Sequence, residues 1–433
     1  MASAFMTPYT NEYLRSLVRE DRVHRSIYTD PQIFELEMEK IFSRVWIYVG
    51  HESQIPNPGD FHCTSVARQP VVMTRHLDGK VHVLFNRCGH RGAKVLNEES
   101  GNARVFTCMY HGWSFRPNGE LAGVPMRRDF QEATLKDPQT GMARLPRTEN
   151  YRGFVFASLN PGVQPLMEYL GEARRGLDEL VDRSPQGEID LWAGCHRYEY
   201  NGNWKLQFDN MADMYHPPAC HASTVGPDGR QFSRRPGNRG GSAPFFAANG
   251  EAIVAQTGVR GLKNGHSSEA SLFREEQAGG IWDDYRALMV QRYGEERTAD
   301  ILKNRRHSMS IFPSVDILIA QTSVRVIRPI SVHKTEVQVY PVRLKGAPSE
   351  ISIDIVRFVN ITHAAASFIQ SDDLEAFERC QQGLASSGTD WMLVARGFGQ
   401  EVDEGNGVLF GDRSSEVGQR AQHYAWRDLM GAA

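Results

Sequence analysis

Two short loops, RCGHRG and TCMYHGW, each carry one cysteine and one histidine, and nothing else in the chain restricts its fold so severely. The pattern is Cys88-x-His90, seventeen intervening residues, then Cys108-x-x-His111. Each half ends a run with strand character, VHVLFN and ARVFT, so both ligand pairs fall on turns of a small β-structure. Gly89, Gly92 and Gly112 let the backbone fold tightly and bring N–H groups close to sulfur. Two loops that each offer a thiolate and an imidazole suit a [2Fe–2S] centre. One iron takes Cys88 and Cys108, and the other takes His90 and His111. A Cys2His2 zinc site uses the same ligand types, but its usual spacing puts a cysteine pair before a histidine pair, whereas here each loop is mixed. Arg91, Tyr110 and Trp113 are the candidates to cover the cluster and to orient its ligands.

The chain has 433 residues, more than one hydrophobic core usually supports, so two domains are expected. With 40% hydrophobic and 23% charged residues it has the composition of an ordinary folded protein. A net charge of -3 gives no electrostatic reason to expect nucleic acid or an anionic membrane as partner. The N-terminal MASAFMTPYTNEYLRSLVRED lacks an apolar signal region, and no stretch approaches the roughly 18 apolar residues of a membrane span. A cytoplasmic protein is therefore expected. Of the six cysteines, Cys63, Cys195, Cys220 and Cys380 lie outside the ligand loops and read as small buried hydrophobes rather than a disulfide framework.

Along the chain, the first forty residues read as mostly helical, with Asp30 as N-cap and Pro31 at the first helical position. Short Val-, Phe- and Tyr-rich runs then alternate with turns to about Leu159, with a hairpin turn expected at Leu77–Lys80 and a last strand at Phe154–Ala157. The text beyond is mixed. A helix is expected over Leu166–Val181, a strand or bent strand pair over His196–Leu206, and a long loop over 225–270. Two strands, about Asp316–Arg328 and Thr335–Arg343, should flank a turn at Pro329–His333, before a long helix over His363–Gly383. The fold class is α+β, with an antiparallel β-module over 41–158 inserted into a domain made of 1–40 and 159–433.

A second group of metal-ligating residues lies in NWKLQFDNMADMYHPPACH, residues 203–221. Asp213 and His216 are spaced i, i+3, which places them on one face of a helix. His221 follows after Pro217-Pro218, which ends that helix and lets the chain turn back, so both imidazoles can converge. An Fe(II) that must bind oxygen needs two histidines, one carboxylate and open positions. The carboxylate has near candidates in Asp209 and Asp213 and distant ones in Asp372 and Asp373 of QSDDLEAFERCQQGL.

On these residues the chain resembles the large (α) subunits of Rieske non-heme iron aromatic ring-hydroxylating oxygenases, nearest the benzoate, anthranilate and salicylate branch. The likeness includes RVHRSIYTDPQIFELEMEKIF, WIYVGHESQIPNPGDF, both cluster loops, GNWKLQFDNMADMYHPPACH, QSDDLEAFERCQQGL and HYAWRDLM. It implies a Rieske domain inserted in a helix-grip-like catalytic domain with a central antiparallel sheet. It implies His216, His221 and Asp373 as ferrous ligands, with Asp372 the competitor for the carboxylate. It implies Asp213 as a bridge from His216 to His111 of a neighbouring subunit, and Asn210 as an amide near the iron. Asp209 departs from the Glu that many relatives carry there. The implied chemistry is hydroxylation of an aromatic ring by O2, in a trimer of α subunits or of α-β pairs, because a monomer would leave its cluster too far from its own iron.

No GxGxxG nucleotide fingerprint and no C-x4-C-x2-C ferredoxin run is present; Gly237–Gly241 lacks the strand–turn–helix setting. NAD(P)H is therefore expected to act only through a separate reductase, with or without a ferredoxin, and the branch usually adds a small β subunit. The substrate expected from the branch is a benzoate-like carboxylate, with Met211, Met214, Ala219, His307, His363 and Ile369 as candidate pocket residues or ordinary core. A Rieske demethylase or monooxygenase and a pure electron carrier are the rival functions.

Overall fold

Alternation of short apolar runs with turns produces three small antiparallel sheets between residues 38 and 166. In the computed structural model, which describes residues 9–191, 194–213, 215–221, 258–269, 279–303, 308–412 and 414–432, this stretch forms one of two compact units. The other comprises Met1–Glu37 and Met167–Ala433. Among the described residues, no helix is long and apolar enough to cross a membrane.

In the unit Met38–Leu166, Asp60–Val66, Gln69–Arg75 and Val81–Phe85 form a meander to which Ser100–Asn102 adds an edge. The expected hairpin turn is present: His76 N–H donates to Lys80 O at 2.8 Å, and Gly79 takes the left-handed φ of +85° that this turn requires. Phe154–Ser158 pairs with both Arg147–Tyr151 and Ile47–His51. Phe61, Val72, Leu84, Phe106 and Phe115 make a core that also includes the two ligand-loop cysteines.

Among its described residues, the larger unit is built on a nine-stranded antiparallel sheet: β1 (His196–Tyr200), β2 (Gly258–Gly261), β3 (Ser267–Glu269), β4 (Ser308–Ile311), β5 (Val315–Leu318), β6 (Ser323–Ser331), β7 (Lys334–Pro341), β8 (Val402–Gly405) and β9 (Val408–Asp412). Their spatial order is β1-β7-β6-β5-β4-β3-β2-β9-β8. Strand alternation gives the sheet two unlike faces. Met309, Ile317 and Val324 are cross-strand neighbours on one, all fully buried. Against that face packs the helix Arg174–Val181, whose Gly176 lies so close to Met309 that a Cβ would sit 2.4 Å from its side chain. The opposite face carries Ser310, Asp316 and Arg325 as cross-strand neighbours, and these too are buried.

The same unit contains the helices α1 (Lys205–Met211), α2 (Pro217–Cys220), α3 (Gln370–Leu384) and α4 (Val417–Met430). The fully buried Glu37 ties several of these elements together. It accepts from Trp204 and Trp426 indole N–H groups at 2.8 and 2.6 Å and from Lys205 Nζ at 2.5 Å. A buried carboxylate is tolerable only when paired and hydrogen-bonded in this way.

Several local expectations need correction. The N-terminal segment is not simply helical: Arg22–His24 is a strand paired with Trp391–Leu393, although Asp30 does cap the helix Pro31–Glu37 through its Oδ1. The Leu166–Val181 helix is broken by a 3-10 turn at Gly171–Ala173. Residues 205–206 open α1 rather than extend a strand. The single strand expected at 316–328 is β5 and β6, divided by a turn in which Thr322 has a φ of +56°. Helix α3 begins at 370, not 363, after a separate helix Ser349–Thr362. Within the expected loop 225–270, residues 258–261 and 267–269 are strands; residues 222–257, with Gly237–Gly241, lie outside the described part.

Candidate metal centres

The two ligand loops of the smaller unit share one backbone design. Cys88 N–H donates to Ala93 O and Gly92 N–H to Cys88 O, at 2.8 and 3.0 Å; Cys108 N–H donates to Trp113 O and Gly112 N–H to Cys108 O, again at 2.8 and 3.0 Å. Gly92 and Gly112 close these turns with φ of +75° and +70°, which a side chain would oppose. Gly89 is required for another reason, since a Cβ there would lie 2.4 Å from the Thr140 carbonyl oxygen.

Within the tips, the cysteines face inward and His111 faces out. Cys88 and Cys108 are each 2% exposed. Burial raises the Cys88 thiol pKa, and the neighbouring Cys108 sulfur adds to the rise. The His90 and His111 rings lie 4.7 Å apart, centre to centre. Trp113 stacks parallel to His90 at 4.8 Å, and Tyr110 lies against His111 at 3.8 Å, while Arg91 is exposed. Two buried sulfurs and two imidazoles nearer the surface fit a two-iron cluster with unequal iron environments. The other four cysteines form no disulfide among the described residues; Cys63, Cys195 and Cys220 are only half-buried and Cys380 is exposed, so the expectation of buried hydrophobes fails for them.

In the larger unit the structure brings His216, His221 and Asp373 together, with one ligand atom from each within 4.8 Å of the others. Asp373 Oδ1 lies 3.7 Å from His216 Nε2 and 3.2 Å from His221 Nε2. The rings, 5.3 Å apart and inclined at 75°, converge on that carboxylate from different directions. Asp372 is elsewhere: its Oδ2 lies 3.3 Å from His221 Nδ1, the back of the ring. Burial opposes charge on His221, but Asp373 and Asp372 outweigh it and raise the imidazole pKa. Asn210 Nδ2 donates to Asp373 Oδ1 at 2.9 Å and lies 3.2 Å from His216 Nε2. Two imidazoles and one carboxylate make the donor set of a 2-His-1-carboxylate iron site.

The path to this arrangement differs from the expected helix. Helix α1 stops at Met211, and Asp213 stands in a turn where its Oδ1 accepts from Tyr215 and His216 N–H at 2.8 and 3.2 Å. Pro217 then starts α2 at the first helical position, so the prolines begin a one-turn helix rather than end a longer one. Asp213 Oδ2 remains 3.8 Å from His216 Nδ1, the back of the second ring.

Of the candidate pocket residues, Met211 and His363 are buried, Ala219 is exposed and Ile369 half-buried; Met214 and His307 lie outside the described residues. The geometry adds residues that the sequence reading did not single out. Tyr28 hydroxyl donates to Asp209 Oδ2 at 2.6 Å and lies 2.9 Å from His423 Nε2, a buried network that includes the residue preceding Asn210. Its members are far apart in sequence, so no local pattern signals it.

Known proteins give the same picture. Residues 45–137 match the Rieske [2Fe-2S] domain, and residues 190–432 match the ring hydroxylating alpha subunit (catalytic domain). The chain is 32% identical to the toluate 1,2-dioxygenase subunit alpha of Pseudomonas putida, over 97% of this chain and 94% of that protein. It is 33% identical to the anthranilate 1,2-dioxygenase large subunit of Acinetobacter baylyi, over 88% and 81%. Its fold matches naphthalene 1,2-dioxygenase with indole bound, at a TM-score of 0.82, 26% identity and coverage of 96% and 94%. The chain belongs to the ring-hydroxylating oxygenase α-subunit family, an enzyme with a Rieske [2Fe–2S] domain and a non-heme iron catalytic domain.

Proposed function

We propose that this chain is the terminal oxygenase component that hydroxylates a benzoate-like aromatic carboxylate. The observation that carries this reading is the convergence of His216, His221 and Asp373 within 4.8 Å. When bound, the cluster supplies electrons one at a time and the ferrous ion supplies the site at which O2 meets the ring. Cys88, His90, Cys108 and His111 hold the first group; His216, His221 and Asp373 hold the second.

The surrounding residues orient those ligands. Asp372 accepts from His221 Nδ1–H, which fixes the tautomer that leaves Nε2 free as a donor to metal. Asn210 holds one oxygen of Asp373 in place. Asp213, half-buried behind His216, is the residue we assign to join His216 to His111 of a neighbouring subunit. That role makes the active form a trimer of α subunits or of α-β pairs. Electrons come from a separate reductase, with or without a ferredoxin, in the cytoplasm.

The names of relatives, toluate and anthranilate, support a carboxylated ring. The test is a screen of substituted benzoates against neutral hydrocarbons, with reductase and product identification. Ring-hydroxylated carboxylates are expected; oxidation of neutral hydrocarbons alone, or demethylation without ring hydroxylation, overturns the reading.

A further inference from the structure

One face of α4 meets α1 with hydrogen-bonding side chains, where a core helix ordinarily presents apolar ones. Gln419, Gln422, His423 and Trp426 are spaced i, i+3, i+4 and i+7, so they share that face, and all four are buried. Gln419 Nε2 donates to Asp209 O at 3.1 Å, and Gln422 Nε2 to Phe208 O at 3.2 Å. Those carbonyls belong to the last turn of α1, where a helix runs out of its own donors. His423 acts on the same turn through Tyr28. The Tyr28 hydroxyl hydrogen goes to Asp209 Oδ2, so the 2.9 Å contact is His423 Nε2–H donating to the Tyr28 oxygen. Burial, helped by the Lys205 charge, lowers the His423 pKa to about 3 and keeps the ring neutral. At the other end of α1, Lys205 meets Trp426 on the Glu37 carboxylate, at 2.5 and 2.6 Å. Gly418 lets α4 approach the end of α1, since a Cβ on it would lie 2.8 Å from the Ala212 Cβ.

Buried hydrogen bonds add little net stability over apolar packing, but they are directional. A row of them along α1 fixes its rotation and its register. Advancing a helix by one residue swings its side chains by roughly 100°. Far less than that separates Asn210 from its partners. Its Nδ2 donates to Asp373 Oδ1 at 2.9 Å and lies 3.2 Å from His216 Nε2, and it directly follows the residue that Gln419 and Tyr28 hold.

We propose that the polar face of α4 positions the iron site: Gln419, Gln422 and His423 hold the last turn of α1 so that Asn210 keeps Asp373 in its ligating orientation. They are positioning residues, and they act through Asn210. His423 opens the segment HYAWRDLM, which thereby gains a task at the metal centre. The inference rests on the proposed roles of His216, His221 and Asp373 as iron ligands.

The test is the Fe(II) affinity of the holoenzyme after a chelator has removed the mononuclear iron and left the cluster. Gln419→Met with Gln422→Met removes both donors at nearly constant shape. This pair should weaken Fe(II) by about 10- to 100-fold while the cluster spectrum stays unchanged. With nitric oxide as a spectroscopic probe of the ferrous site, the EPR rhombicity should shift towards that of Asn210→Ala. In an Asn210→Ala background the same pair should cost less than about 2-fold more, because the contact it acts through is gone. Tyr28→Phe, which removes one hydroxyl, should weaken Fe(II) by about 10-fold, again only where Asn210 is present. It decides the matter if the glutamine pair does not fold. Unchanged Fe(II) affinity in either folded variant, or an equal loss with and without Asn210, overturns the proposal while the ligand reading stands. Full Fe(II) affinity in Asp373→Ala refutes the ligand reading itself, and the positioning role with it.

Discussion

The unit Met38–Leu166 draws its four candidate ligands from two neighbouring turns with the same backbone hydrogen bonds. The larger unit works differently. Two histidines come from one short segment, whereas the carboxylate arrives on α3, so that Asn210 reaches Asp373 across 163 positions. In the first site, glycines and turn hydrogen bonds set the geometry. In the second, carboxylates behind the imidazoles set it: Asp372 behind His221 and Asp213 behind His216. A hairpin site depends on its own chain path, and a helix-borne site depends on the packing of distant elements.

This contrast predicts that the sites fail separately. Cys108→Ala should abolish the cluster's visible absorption entirely, because the remaining ligand set cannot hold two irons, while the iron-binding unit keeps its fold. A variant that retained the cluster spectrum would break the assignment of the loops.

A smaller effect is expected where a residue serves the site without holding metal. Asp213→Asn should keep both the cluster spectrum and the mononuclear iron yet lose turnover by about 10- to 100-fold, the usual cost of losing an orienting carboxylate. Near-normal coupled turnover would remove Asp213 from the path between subunits.

The mildest prediction concerns pH. His266 is fully buried between Tyr169 O, 2.9 Å from its Nε2, and the Phe312 N–H that donates to its Nδ1. Burial lowers its pKa to about 4, below the roughly 6.5 of an exposed imidazole. Its contribution is therefore complete above pH 6.5 and lost as pH falls towards 4, on the order of 3 kcal/mol in all. Thermal melts of His266→Gln should show a shallower acid limb over that window than wild type; identical limbs would contradict the assignment.

The same contrast explains what could be read from sequence. Cys88, His90, Cys108 and His111 were legible because their spacing is local and the glycines between them are required by the turns. His216 and His221 were legible as a pair, but the route between them was not. Proline at the first turn of a helix and proline after its end look alike in sequence, and the structure uses the first. Asp372 and Asp373 are adjacent alternatives in sequence, and only the rotation of α3 sets them against different nitrogens of His221. The Tyr28–Asp209–His423 network was hidden for the same reason: its partners meet only when the N-terminal segment, α1 and α4 pack together.

The central claim is that one chain holds two independent iron centres, and counting iron tests it most directly. Iron and acid-labile sulfide should be measured per chain in wild type and in His221→Ala. Wild type should hold about three irons and two sulfides, and the variant about two of each with an unchanged cluster spectrum. A variant that keeps its third iron, or one that loses the cluster along with it, would contradict the account.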